Sequence, residues 1–320
     1  MTSVRSLLAL ACTSALLSAC YSDMTVMRDD AAKRTAAPVF MIPRDIPTTD
    51  FIIQSYERVY KKGQPATIYI EGDGTYTVAV KAFSKDNPTP TDPVALRMAA
   101  QDKGDNVIWV ARPCQYNKGW KGDKKSCPVE YSTNKRFAPE VIETYNQVLD
   151  NIKSYYNIPS FDLVGYDGGA AIAVILGSQR ADIKSIRTVA GDLDPNTVAN
   201  LNKKPHPEGS LNPMDFAAGI ANIPQRHFIG KLDTTTPPAV YNSFAQAVSQ
   251  GQCLNVSLVD NADHQSGWAE QWKVLKSIPI DCAQPAELIP VQFDPTPLDG
   301  DKYHIPVSYT HLTLPTKRIV

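Results

Sequence analysis

The sequence predicts an α/β domain: a mostly parallel central sheet with helices on both faces and a small insertion over one edge. Three observations predict it. Between residues 51 and 290, apolar runs of strand length alternate with amphipathic stretches, the pattern of strands joined by crossover helices. One such run ends in Gly165-Tyr166-Asp167-Gly168-Gly169 and continues into a small-residue helix, a strand–sharp turn–helix signature. The composition is that of a packed domain, 43% hydrophobic with a net charge of −1. That balance excludes a disordered chain and gives no basic footprint for nucleic acid.

From the N-terminus, residues 1–19 read as a signal peptide. Arg5 is the charged start, Leu7–Leu17 an apolar stretch too short to span a bilayer, and Ser18 and Ala19 small cleavage residues. Leu17-Ser18-Ala19-Cys20 resembles a bacterial lipobox, which implies a lipidated Cys20 anchoring a periplasmic protein. Tyr21 in place of aspartate favours the outer membrane. Residues 20–50, polar and punctuated by proline, read as a tether. At the other end, residues 291–306 form an extension, and residues 307–320 resemble the in-frame translation of a sequencing adapter, so they carry no fold argument.

Between these ends, strands are predicted at Thr67–Glu71, Val107–Val110, Phe161–Gly165, Ser185–Val189, His227–Gly230 and Leu254–Val259. Gln54–Tyr60 reads as an antiparallel edge strand. Helices are predicted at Pro93–Gln101, Ala138–Tyr156, Gly168–Arg180, Pro238–Gln250 and Gly267–Ser277. The stretch Asp192–Asn222, rich in Asn, Pro and Gly, interrupts the alternation and reads as a cap over the carboxyl edge of the sheet, where open α/β sheets place ligands.

Beyond Cys20 and the cysteine of the signal, four cysteines remain: Cys114, Cys127, Cys253 and Cys282. An even number in an oxidising compartment argues for two disulfides. Four cysteines allow three pairings, and proximity favours Cys114–Cys127 and Cys253–Cys282. A structural metal is the rival reading, but no Cys-x-x-Cys pair occurs, so no metal is expected.

The turn at Asp167 carries the chemistry. Glycines flank it because the bend leaves no room for a Cβ, and aspartate tolerates the positive-φ tip better than most residues. It has the context of G-x-S-x-G, with Asp167 in the nucleophile's place. In sites of this kind the acid and the histidine follow at the ends of later strands. Asp233, after the run His227–Gly230, fits the acid. Of five histidines, His264, in a loop after the final strand, fits best; His206, His227, His304 and His311 lie in the cap, at a strand start and near the C-terminus. Two backbone N–H groups are expected to form an oxyanion hole: Gly168 after the tip, and Asp73 in the Glu71–Gly74 loop. No dinucleotide or phosphate signature accompanies that loop, so no cofactor is expected.

With these pieces in place, residues 53–282 resemble a bacterial family of α/β-hydrolase-fold, serine-hydrolase-like lipoproteins. The matching segments are Ile70–Gly74, Ala111–Tyr116, Arg136–Glu140, Val164–Gly169, Val189–Asp194, Gly209–Pro213 and His264–Trp268. The resemblance implies a triad at Asp167, Asp233 and His264, with serine expected where Asp167 stands. A carboxylate suits attack on an sp3 carbon and suits ester substrates poorly. Enzymes of this fold that use an aspartate nucleophile usually carry a bulky residue next to it, whereas this chain has Gly168. Two carboxylates beside one imidazole are expected to raise His264. The sequence therefore points to a hydrolase with an Asp-His-Asp site acting on a small molecule, with a catalytically inactive binding protein as the alternative reading. Its other contact is the membrane, through the lipid anchor.

Overall fold

A computed structural model describes residues 27–74, 88–117, 127–248, 253–283 and 288–289. Eight strands form one sheet, β1 (Ile42–Pro47), β2 (Ile52–Val59), β3 (Ala66–Ile70), β4 (Asn106–Val110), β5 (Phe161–Tyr166), β6 (Ile183–Val189), β7 (Gln225–Gly230) and β8 (Leu254–Val259), in the order β1-β2-β4-β3-β5-β6-β7-β8. β1 and β2 pair antiparallel with each other, and β2 pairs antiparallel with β4. Every later pairing is parallel. This is the α/β-hydrolase arrangement predicted from the sequence.

Every residue of β3 and β4 is buried, which their uninterrupted apolar character requires of strands covered on both faces. One face packs against α3 (Pro139–Tyr156), α4 (Gly168–Gln179) and α6 (Pro238–Val248). The other packs against α1 (residues 27–36), α2 (Val94–Gln101) and α7 (Trp272–Ser277). α3 is amphipathic, burying Val141, Ile142, Tyr145, Val148, Leu149 and Ile152 at spacings of three and four. α4 is different. Gly168 through Gly177 are all buried, so it is a central helix with no solvent stripe, and its start is fixed from every side.

The structure corrects the sequence reading in three places. The tether expected over residues 20–50 is, from residue 27 onward, part of the folded unit: Ala32, Ala36 and Met41 are buried in the core, and β1 adds an edge strand through Ile46. Pro43 and Pro47 made that segment read as linker, yet an edge strand tolerates the missing donors. The cap expected over Asp192–Asn222 divides. α5 (Pro195–Leu201) lies near the β7 exit, where Asn202 donates to the Thr235 carbonyl. The 3-10 segment Pro213–Ile220 instead buries Ala217 and Ile220 against α4 and α6, as core rather than lid. The last helix begins at Trp272, not Gly267. Gly267 takes φ +85 in the preceding loop, a conformation that ends helical geometry.

Both expected disulfides are present, Cys114–Cys127 and Cys253–Cys282. The signal peptide, Cys20, residues 291–306 and residues 307–320 lie outside the described residues.

A chain starting at residue 50 tests the corrected boundary. Loss of a tether would leave stability unchanged, whereas removing the buried Ala32, Ala36, Met41 and Ile46 should lower it by at least about 3 kcal/mol in urea titrations.

Candidate active site

β5 ends one residue before Asp167, which stands as N-cap of α4 with φ 50 and ψ −122. That left-handed backbone costs energy in a residue with a Cβ, and it points the carboxylate out of the turn toward the carboxyl edge of the sheet. The bend closes because its neighbours lack side chains. A Cβ on Gly165 would come within 2.4 Å of the Gly169 carbonyl oxygen, and one on Gly169 within 2.4 Å of the Ile70 carbonyl oxygen.

The structure brings Asp167, Asp233 and His264 together. His264 Nδ1 lies 3.0 Å from Asp233 Oδ2, and its Nε2 lies 3.3 Å from Asp167 Oδ1. Asp233 is buried and held by its own loop: Oδ1 accepts from the Thr235 and Thr236 N–H groups at 2.8 and 2.9 Å, and Oδ2 accepts from the Thr236 hydroxyl at 2.7 Å. Tyr166 donates its hydroxyl to the His264 carbonyl at 3.0 Å, tying the strand end to the histidine loop.

Of the two expected oxyanion donors, the Asp73 N–H reaches the carboxylate. The Asp73 N–H donates to Asp167 Oδ2 at 3.0 Å, so that donor already holds the carboxylate. Gly168 opens α4, where an N–H has no acceptor within its own helix. A Cβ on Gly168 would sit 2.3 Å from Asp73 Oδ1 and 2.6 Å from Arg112 Nη1. Glycine follows the tip because the Asp73–Arg112 ion pair lies directly on it.

Burial alone would push the Asp167 carboxyl up, but the His264 hydrogen bond and charge, the Asp73 N–H and Arg136 outweigh it and hold it well below the ordinary range. Burial would likewise depress His264. Its hydrogen bonds to Asp167 and Asp233 and their charges overcome that and push it up to about 10. At neutral pH the resting site is an imidazolium between two carboxylates.

Three side chains here were not singled out from the sequence. Glu71 is buried and accepts from the Gly72, Ala95 and Leu96 N–H groups and from Trp109 Nε1, binding the donor loop to the start of α2. Burial still pushes its carboxyl up to about 7. Arg112 donates to Asp73 Oδ1 at 2.6 Å, and Arg136 pairs with both Asp73 and Asp192. The cleft above is lined by Thr91, Asp92, Tyr166, Asp167, His264 and Gln265.

Solved structures that superpose on this chain include hydrolases. An esterase of Pyrococcus furiosus does so with a TM-score of 0.52 at 14% identity, over 75% of this chain and 89% of that one. Est1E of Butyrivibrio proteoclasticus, in a structure with ferulic acid bound, gives 0.53 at 12% identity over 73% and 97% of the two chains. Puromycin hydrolase gives 0.52 at 12% identity, over 73% of this chain and 38% of that longer one. At these identities the likeness is one of fold. No protein-family model matches the sequence, and neither does any curated protein sequence.

The His264 titration is directly measurable. Its ring resonances should titrate near pH 10, and Asp167→Asn should return the midpoint toward the ordinary histidine value. The folded chain keeps a proton that an unfolded histidine loses near 6.5, so this stabilisation is full below about pH 6.5 and is lost as pH rises through about 10. Urea midpoints should fall across that window in the native chain and less in Asp167→Asn.

Proposed function

We propose that this chain is a hydrolase in which the Asp167 carboxylate attacks an electrophilic sp3 carbon, such as that of an alkyl halide. One observation carries the reading: the two oxygens of Asp167 are divided, Oδ2 on the Asp73 N–H at 3.0 Å and Oδ1 beside His264 Nε2 at 3.3 Å. Oδ1, which the Asp73 N–H does not hold, forms the new bond to carbon while the carbon–halogen bond breaks and halide leaves. Oδ2 then becomes the carbonyl oxygen of an alkyl ester that already rests on an oxyanion donor.

Esterification removes the charge of Asp167, and with it one of the two partners that hold His264 protonated. The proton returns to solvent, leaving a neutral imidazole oriented by Asp233. His264 takes a proton from water as the water oxygen attacks Cγ of Asp167. Negative charge collects on Oδ2, at the Asp73 and Gly168 N–H groups. Collapse breaks the bond between Cγ and the alkyl oxygen, the alcohol leaves with the proton from His264, and the remaining hydroxyl proton of the Asp167 carboxyl passes to His264, restoring the carboxylate and the imidazolium. The sum is alkyl halide plus water to alcohol, halide and a proton.

Ordinary ester hydrolysis fits the site less well. Attack by Asp167 on an ester carbonyl gives an anhydride, and the resting carboxylate occupies the donor that an oxyanion needs. A second reading is a cleft that binds a ligand without turnover. It is favoured by His264 being bridged on both sides, which leaves no free base at rest. In either reading we place the chain in the periplasm, anchored at Cys20 to the outer membrane. The lipobox and the two disulfides of the described residues support this.

His264→Gln should let the first step run and stop the second. After incubation with alkyl bromides or epoxides, intact mass should rise by one alkyl adduct, mapped to Asp167 and absent from His264→Gln with Asp167→Asn. In a single turnover of the native chain in 18O water, the label should enter the Asp167 carboxylate. Absence of adduct and label across such electrophiles would favour the binding reading.

Asp167→Ser should convert the site to an esterase. The hydroxyl replaces the charge, the Asp73 N–H is freed and His264 loses one carboxylate partner. Hydrolysis of p-nitrophenyl esters should be negligible in the native chain and rise by at least about a hundredfold, the typical contribution of one oxyanion donor.

A further inference from the structure

Three segments take no part in the proposed chemistry yet meet behind the turn: Ala111–Tyr116, Arg136–Glu140 and Val189–Asp194. Asp167 is gripped by two backbone donors, one from beyond each of the strands that flank β5. From the β3 exit, the Asp73 N–H holds Oδ2 of its side chain; from the β6 exit, the Asp192 N–H holds its carbonyl oxygen at 3.0 Å. The side chains of these two donor residues are joined by one guanidinium. Arg136 donates through Nη1 to Asp73 Oδ2, through Nη2 to Asp192 Oδ2 at 3.0 Å, and through Nε to the Thr133 carbonyl at 3.1 Å.

Around that bridge the packing leaves little freedom. The Arg136 guanidinium lies over the Phe137 ring, 4.7 Å from its centroid. Arg112 holds the other Asp73 oxygen at 2.6 Å and donates to the Arg136 carbonyl at 2.6 Å. On the remaining side Asp73 rests on the bare Cα of Gly168, where a Cβ would be 2.3 Å from Oδ1. Asp192 is 1% exposed and Arg112 4%. A planar fork can bind two carboxylates at fixed angles, which the point charge of lysine cannot.

We propose that Arg136 is the positioning residue of this site, fixing the Asp73 N–H on Asp167 by bridging Asp73 to Asp192. Resting on the reading of Asp167 as the reacting carboxylate, this assigns Arg136 to the second chemical step. The N–H matters most when charge collects on Oδ2, and donors of this kind must be held to within about half an ångström. Loss of the bridge should therefore slow hydrolysis of the alkyl ester more than its formation. A residue that only stabilised the fold would alter both alike or neither.

Amide hydrogen exchange in the disulfide-bonded chain tests the clamp without any turnover. In Arg136→Gln the Asp73 and Asp192 amides should exchange at least about tenfold faster, with the amides of β5 unchanged. Arg180→Gln, which breaks a remote ion pair with Asp150 and Asp182, should leave both amides as they are. Unchanged Asp73 exchange in Arg136→Gln, or equal acceleration in Arg180→Gln, overturns the proposal. If Arg136→Gln does not fold, Arg136→Lys decides. It keeps the charge and cannot span both acids, so faster exchange supports the bridge and unchanged exchange overturns it. Faster exchange without an alkyl adduct on Asp167 keeps the clamp and removes the nucleophile reading; an adduct with unmoved exchange does the reverse.

Discussion

The site and much of the packing depend on one close approach: β3, β5 and α4 meet backbone to backbone around the turn at Asp167. Gly165 and Gly169 have no room for a methyl group, since each would carry a Cβ to within 2.4 Å of a carbonyl oxygen. The approach forces Asp167 to φ 50, and that strain is held by a helix buried on all sides rather than by local contacts. Because α4 cannot shift, the carboxylate at its head has one direction to point. His264 and the Asp73 loop are arranged around that direction.

A charge in so confined a place sets the electrostatics of its neighbours. Asp73, Asp167 and Asp192 cluster behind and beside the turn, with Asp233 beyond His264. Arg112, Arg136 and His264 offset them through direct hydrogen bonds. The compensation is uneven. Asp167, touched by both a ring N–H and a backbone N–H, is stabilised as the anion, whereas burial pushes Asp192 up to about 6 despite Arg136. Removing one partner from such a cluster leaves its neighbour desolvated and unpaired, a cost larger than the pair itself contributes. The cluster is accordingly a device for geometry first, with net stabilisation secondary.

What the sequence made legible follows from how local each signal is. The turn was readable because its glycines and the flanking apolar strand lie within a few residues, and Asp233 and His264 because each follows a strand in the expected order. The strands β3 to β8 were readable from short apolar runs alternating with amphipathic stretches. β1 and α1 were not, because Ile42-Pro43-Arg44-Asp45-Ile46-Pro47 buries only Ile46, and an edge strand with one buried side chain has the composition of a linker. The Arg112–Asp73–Arg136–Asp192 network was also illegible as a unit. Its members are separated by up to 119 positions (192 − 73), and nothing in a charged side chain's neighbours along the chain tells which acid it will face. The segments of Arg112 and Arg136 were marked only by resemblance, which gave them no task.

The identity of the residue after the tip decides how far the carboxylate reading extends. In a site built around a bulky residue there, that side chain would line the pocket and meet the leaving group. Here the same volume is filled from the other side: the Asp73–Arg112 pair presses onto Gly168 with no space between. On the carboxylate reading proposed above, a leaving group would instead meet the cleft lining, which includes Thr91, Asp92, Val94 and Gln265. Thr91 and Gln265 carry donors that could hydrogen-bond a departing anion, whereas the Asp92 carboxylate only accepts hydrogen bonds and would oppose it. What stands next to the tip is thus set by Arg112 and Asp73 rather than by Asp167 itself.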